Sequence, residues 1–288
     1  MGLGFKYHIA TLVAIFFALT VGLVVGSLFV SPQVADSQKK ILATLRDKMD
    51  KDVTDLRTQN KRYQDFFGQS APRIVRSELN GISVAVVQMG DYPNAAGDVQ
   101  ETLRLAGAQV RCVVTCGKAL AQNDDELKSA LNTLQQTTSS VTLAQDRTRL
   151  FNQITALMIT AAGRKEELAN LFERGEIATF ERNAEVKQAP QCVVVVVGTQ
   201  QADSERVTFV DIPFLTALQG SGLKVLICEP DKVAVSDLFT YRSNRVILPS
   251  IDKVDTDIGR CQMVFHLKDL LTPSDTQGET TTSSSNHP

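Results

Sequence analysis

Sulfur is the most reactive chemistry this chain of 288 residues can offer, and it is supplied by Cys112, Cys116, Cys192, Cys228, Cys261 and the thioether of Met89. Thiolate and thioether ligands suit soft ions, Cu(I) among them. Cys112 and Cys116 straddle the end of an expected strand and are the candidate metal ligands, with Met89 and Cys228 able to approach the same crevice. Cys192, Cys228 and Cys261 fall on expected strands, where a buried cysteine behaves as a small hydrophobe. Five cysteines cannot all pair within one chain, and a domain this size builds a core without disulfides. No CxxC occurs and only His8, His266 and His287 are present, which leaves little for a structural zinc site.

A second place for chemistry is the turn Gly90-Asp91-Tyr92-Pro93-Asn94 after an apolar run. It has neither GxGxxG nor GxxxxGK[ST], so a phosphate cradle is not indicated. Parallel sheets bind ligands beyond strand C-termini, which makes Asp91 and Asn94 a candidate crevice; the same residues also suit an ordinary turn. No GxSxG elbow is present, and His266 is expected inside a strand as a packed residue. A Ser-His-Asp or Cys-His hydrolase therefore lacks its parts. The expectation is a protein that is not an enzyme.

These residues need a scaffold, and its first part is a membrane helix. Residues 9–30 contain no charge and would span about 33 Å as a helix, enough for a bilayer core. The run exceeds the apolar core of a signal peptide, so an uncleaved anchor in contact with lipid is expected. Gly22 and Gly26 are spaced for close helix approach, although glycine is common in such helices anyway. Lys6 lies before the helix and Lys39 and Lys40 after it, a balance that does not fix orientation; the body is expected outside the cytoplasm.

Residues 33–67 read as a charged helix with Leu42, Met49, Leu56 and Tyr63 at heptad position a, and Leu45, Asp52, Gln59 and Phe66 at d. That pattern suits a short parallel coiled coil and homo-oligomers; a lone amphipathic helix is the alternative. Pro32 should break the chain before it, and Gly68 with Pro72 should end it.

The body is expected to be an α/β domain of Rossmann-like or flavodoxin-like type, three layers with a mainly parallel sheet. Strands are expected at 82–89, 109–114, 192–197, 224–228 and 260–267. Helices are expected at 95–106, 124–135, 143–162, 164–174 and 209–218. Uniformly apolar runs such as CVVVVV mark strands buried on both faces. The resulting boundaries are anchor 1–32, stalk 33–70, α/β domain 71–271 and a disordered Ser/Thr-rich tail 272–288. A net charge of −2 and the absence of Trp argue against a nucleic-acid partner.

Residues 7–29, the stalk and 73–87 (RIVRSELNGISVAVV) together resemble the N-terminal half of MctB-type copper transport proteins, and 254–260 (VDTDIGR) with 264–271 (VFHLKDLL) is similar to that family's closing segment. Between Asp91 and Pro249 the similarity is one of pattern. The resemblance implies a bacterial envelope protein that limits copper inside the cell, with copper ion as its metal. It supplies no ligand motif for the cysteines. A single helix makes a poor pore, so transport through an oligomer or assistance to an exporter is the expected mode. The alternative is a structural protein whose anchored domain docks an envelope protein partner.

Overall fold

The computed structural model describes residues 3–29, 32–137, 141–160 and 165–272. The chain divides into two compact units, Met1–Gln64 and Asp65–Pro288.

The first unit is helical. Helix α1 (Leu3–Phe29) contains one stretch, Tyr7–Gly26, long and apolar enough to cross a membrane. Its two threonine hydroxyls are satisfied within the helix, Thr11 Oγ1 donating to the Tyr7 carbonyl at 2.8 Å and Thr20 Oγ1 to that of Phe16 at 2.7 Å. Such internal pairing is what a group surrounded by lipid requires. Helix α2 (Pro32–Ile74) opens on Pro32. Leu42, Leu45, Met49, Leu56 and Tyr63 are all exposed, an apolar stripe on a polar helix. The expected stop at Gly68 and Pro72 is not observed, since α2 continues to Ile74 with Pro72 inside it. Proline loses one hydrogen bond in a helix interior. Burial of Ala71 and Val75 in the core of the second unit offsets that loss.

The second unit is built on six strands: β1 (Ser83–Gln88), β2 (Gln109–Cys116), β3 (Ala178–Arg182), β4 (Cys192–Val196), β5 (Lys224–Cys228) and β6 (Ser250–Ile251). Their order is β3-β2-β1-β4-β5-β6, parallel throughout except for the antiparallel β2–β3 pair. Every residue of β1 and β4 is buried, and their residues 84–87 and Cys192–Val196 are apolar without alternation because both sheet faces are covered.

One face packs Phe151 and Leu150 of α5 (Arg147–Ile159), Phe172 of α6 (Glu166–Arg174) and Phe214 of α8 (Ile212–Gly220). Leu127 and Leu131 of α4 (Asp124–Gln136) join this side. The other face packs Leu103 of α3 (Pro93–Leu105), together with Met263, Val264 and Leu267. The last three belong to α10 (Asp257–Leu271), which corrects the strand expected at 260–267. Only Val264 in that octet is β-branched, and Thr256 caps the helix by accepting from Gly259 N at 3.1 Å. His266 is accordingly helical and exposed, and Cys261 lies on a helix.

Strands β3 and β6, and the short α9 (Asp237–Ser243), were not expected from sequence. The expected tail and the junction of the helices expected at 143–162 and 164–174 fall mostly or partly outside the described residues.

Strand β2 carries an irregularity that sets the site. Val84 pairs with Val110 but Ala85 pairs with Cys112, leaving Arg111 as an inserted residue. Such a bulge shifts the alternation of side chains by one. Arg111 is buried, donating to the carbonyls of Val186 and, at 2.8 Å, Thr160. Beyond it, Cys112, Val114 and Cys116 all face the side that carries Ala85, Val87 and Met89.

Candidate functional site

The order of strands reverses at β1, which has β2 on one side and β4 on the other. Loops diverge at such a point and leave a crevice beyond the strand C-termini. Here the crevice measures about 380 Å³ and is lined by Met89, Gly90 and Asp91 after β1, Cys116 and Lys118 at the end of β2, and Thr199 after β4. A larger depression of about 590 Å³ between α5 and α8 has no charged residue in its lining. Convergent polar groups favour the strand-end crevice as the functional site.

Glycine permits the closeness of these loops. A Cβ on Gly90 would lie 2.5 Å from the Gly198 carbonyl oxygen, so only glycine lets the β1 and β4 ends approach as they do. The gap is then closed by Asp91 N donating to the Gly198 carbonyl at 2.9 Å, and by Gln200 N donating to Asp91 Oδ2 at 3.0 Å.

A buried ionic network forms one wall. The single turn α7 (Ser204–Arg206) runs into a π-helical turn, Val207–Asp211, and these place Arg206 and Asp211 at the crevice. Single π turns inside helices often mark functional sites. Arg206 Nη2 donates to the Met89 carbonyl at 2.6 Å, and its Nε lies 3.4 Å from Asp211 Oδ1. Asp211 is fully buried and accepts from Tyr241 Oη at 2.8 Å. Asp237 accepts from Gly198 N at 2.8 Å, and Glu229 accepts from Asp237 N at 2.7 Å. Burial pushes the Asp211 carboxyl up to about 6, against the pull of Arg206, and raises Glu229 and Asp237 for the same reason.

The sequence candidates separate in this setting. Asp91 lines the crevice, whereas Asn94 is an exposed residue in the first turn of α3 and is not part of its lining. Cys116 is half-buried in the lining, and desolvation pushes its thiol up to about 12. Cys112 is buried four residues back along β2, about 13 Å away at the usual strand rise, which is too far to share one ion with Cys116. Its thiol, pushed up to about 11 by burial, sits 3.9 Å from the Met158 carbonyl. Cys228 faces the opposite side of the sheet. All five cysteines are free, and among the described residues no three His, Cys, Asp or Glu side chains converge as a metal cage.

Sequence reasoning missed Arg206, Asp211, Asp237 and Tyr241. Their roles depend on α9 and the π turn, and the one local signal was Ser236, whose hydroxyl accepts from Phe239 N at 3.2 Å as a helix cap.

Comparison with known proteins finds similarity over nearly the whole chain. The copper transporters MctB of Mycobacterium bovis and Mycobacterium tuberculosis are each 27% identical to this chain over 293 residues, covering 92% of both partners. The copper transporter MctB of Mycobacterium leprae is 26% identical over 301 residues, again with 92% of each covered. The family model described as "Copper transport outer membrane protein, MctB" matches residues 3–278, and the chain belongs to that family.

Proposed function

We propose that this protein is a membrane-anchored copper-handling protein of the bacterial cell envelope that limits copper inside the cell without catalysing a reaction. The observation that carries this reading is the family match over residues 3–278, which includes the apolar helix, the polar helix and the α/β unit together. Copper is cargo in this reading. The six-stranded sheet has helices on both faces and charged residues at its rim, so it is not a lipid-facing barrel. One apolar helix cannot form a conduit alone. Transport therefore proceeds through an oligomer, or the protein serves an exporter in the same membrane.

The exposed stripe of α2 favours self-association: Leu42, Leu45, Met49, Leu56 and Tyr63 are each more than half exposed. An anchor at the same end of every copy would align the helices in parallel, as a coiled coil through residues 33–67 requires. A strictly monomeric mass for the full-length protein in detergent, by light scattering, would remove the oligomer. The strand order matches that of doubly wound Rossmann-like domains, with an antiparallel β3 as the departure.

The test of function is total cell copper in a deletion strain under copper stress. Excess copper that returns to the parental level with the wild-type gene is expected. Unchanged copper and growth would contradict the reading, and a domain that docks an envelope partner would replace it.

A further inference from the structure

The geometry points to a cargo site at the rim of the sheet, where the Met89 thioether and the Cys116 thiolate together bind one Cu(I) ion. This rests on the copper-handling reading above and assigns it to atoms.

The pairing follows from register. Gln88 of β1 pairs with Thr115 of β2, so the next position along both strands sets Met89 beside Cys116. Neighbouring parallel strands lie about 4.8 Å apart, and residues paired across them point to the same side. The Arg111 bulge fixes the phase. Were Arg111 paired regularly with Ala85 instead of bulged out, Cys116 would fall out of step with Met89 and turn to the opposite face. Both residues line the same crevice.

Among the described residues, Met49 lies exposed on α2 and Cys261 lines a separate depression beside Asp257 and Arg260, so neither shares this crevice. Cys112 and Met158 are sealed in the core, and Cys192 and Cys228 are buried on the far face. Met89 and Cys116 reach a crevice with room for an incoming ion. Two sulfur ligands satisfy Cu(I), which accepts soft donors and low coordination numbers.

A buried carboxylate lines the crevice as well. Asp211 Oδ1 is buried, lines this crevice, and has no hydrogen-bond partner beyond its 3.4 Å ion pair with Arg206. Asp211 and Cys116 line the same crevice. On binding, the S–H bond breaks, a sulfur–copper bond forms and the proton leaves to water; copper enters and stays as Cu(I).

The experiment is a competition titration of the full-length protein in detergent with Cu(I) and bathocuproine disulfonate. Cys116→Ser and Met89→Leu are compared with the wild type and with Cys112→Ser. Met89→Leu conserves volume, so it separates a lost ligand from a damaged fold. Circular dichroism melts report folding of each variant. The expected result is one Cu(I) per chain, weakened at least tenfold by Cys116→Ser and by Met89→Leu and unchanged by Cys112→Ser. Wild-type affinity in the two rim variants would overturn this site and leave copper handling standing on the cell-copper assay. No Cu(I) binding by the wild type would also overturn it, whatever the cell-copper assay shows.

Discussion

The middle of the sheet and its C-terminal rim are made from the same strands and differ in almost every other respect. In the middle, Val193, Val194 and Val195 of β4 lie between aliphatic neighbours and are completely buried. A few residues further along, the strands lead into Met89, Cys116, Thr199 and Glu229, with Arg206, Asp211, Asp237 and Tyr241 packed around them. The middle supplies stability through apolar burial. The rim gives some of it back, because three carboxylates there are held at raised pKa by desolvation. Strand β2 shows the contrast within one element: Cys112 is buried in the core, while half-buried Cys116 lines the crevice.

The largest expected effect belongs to the middle. Phe151 is fully buried and packs on Phe214 with ring centroids 5.1 Å apart. Phe151→Ala should cost about 3–5 kcal/mol, a large part of a domain's usual stability, read by urea unfolding followed by circular dichroism. A cost below about 1 kcal/mol would break the assignment of the middle as the source of stability.

The rim should show an inverted pH dependence. Asp211 titrates near 6 in the folded chain and near 3.8 when unfolded, so the unfolded state releases its proton first. Its charged form is a penalty on folding that is complete above pH 6 and disappears as pH falls through 6 toward 3.8. The penalty amounts to about 3 kcal/mol over that window. Asp211→Asn stays neutral, so wild type should gain in melting temperature relative to this variant between pH 7 and pH 5. A parallel response of the two would mean Asp211 is not held out of water.

Tyr241→Phe removes the hydroxyl that donates to Asp211 at 2.8 Å. The expected loss is about 1–3 kcal/mol at pH 7, smaller at pH 5 once Asp211 is protonated. The smallest effect is kinetic: iodoacetamide should modify half-buried Cys116 before Cys112, both slowly because their thiols are raised to about 12 and about 11. Peptide mass mapping of the adducts would show the order, and Cys112 reacting first would contradict the contrast along β2.

Much of the middle could be read from sequence and little of the rim. The uninterrupted apolar runs of β1, β4 and β5 signal strands buried on both faces, and the structure has them there. Strand β3, ATFER, sits at a sheet edge with alternating exposure and carries charged residues, so no apolar run announces it. Helix α10 was misread because apolar content was weighed above the Thr256 cap and the shortage of β-branched residues. Asp91 was legible because its turn directly follows an apolar strand. The neighbour relation of Met89 and Cys116 was not, since it depends on the pairing of two strands and on a bulge at Arg111, neither of which a linear sequence displays.

X-ray absorption at the copper edge of the Cu(I)-loaded full-length protein tests the central claim most directly. The expected spectrum contains sulfur neighbours in wild type and in Cys112→Ser, with the sulfur contribution lost or reduced in Cys116→Ser and in Met89→Leu. A shell of nitrogen and oxygen alone, or a sulfur shell indifferent to both rim substitutions, would contradict it.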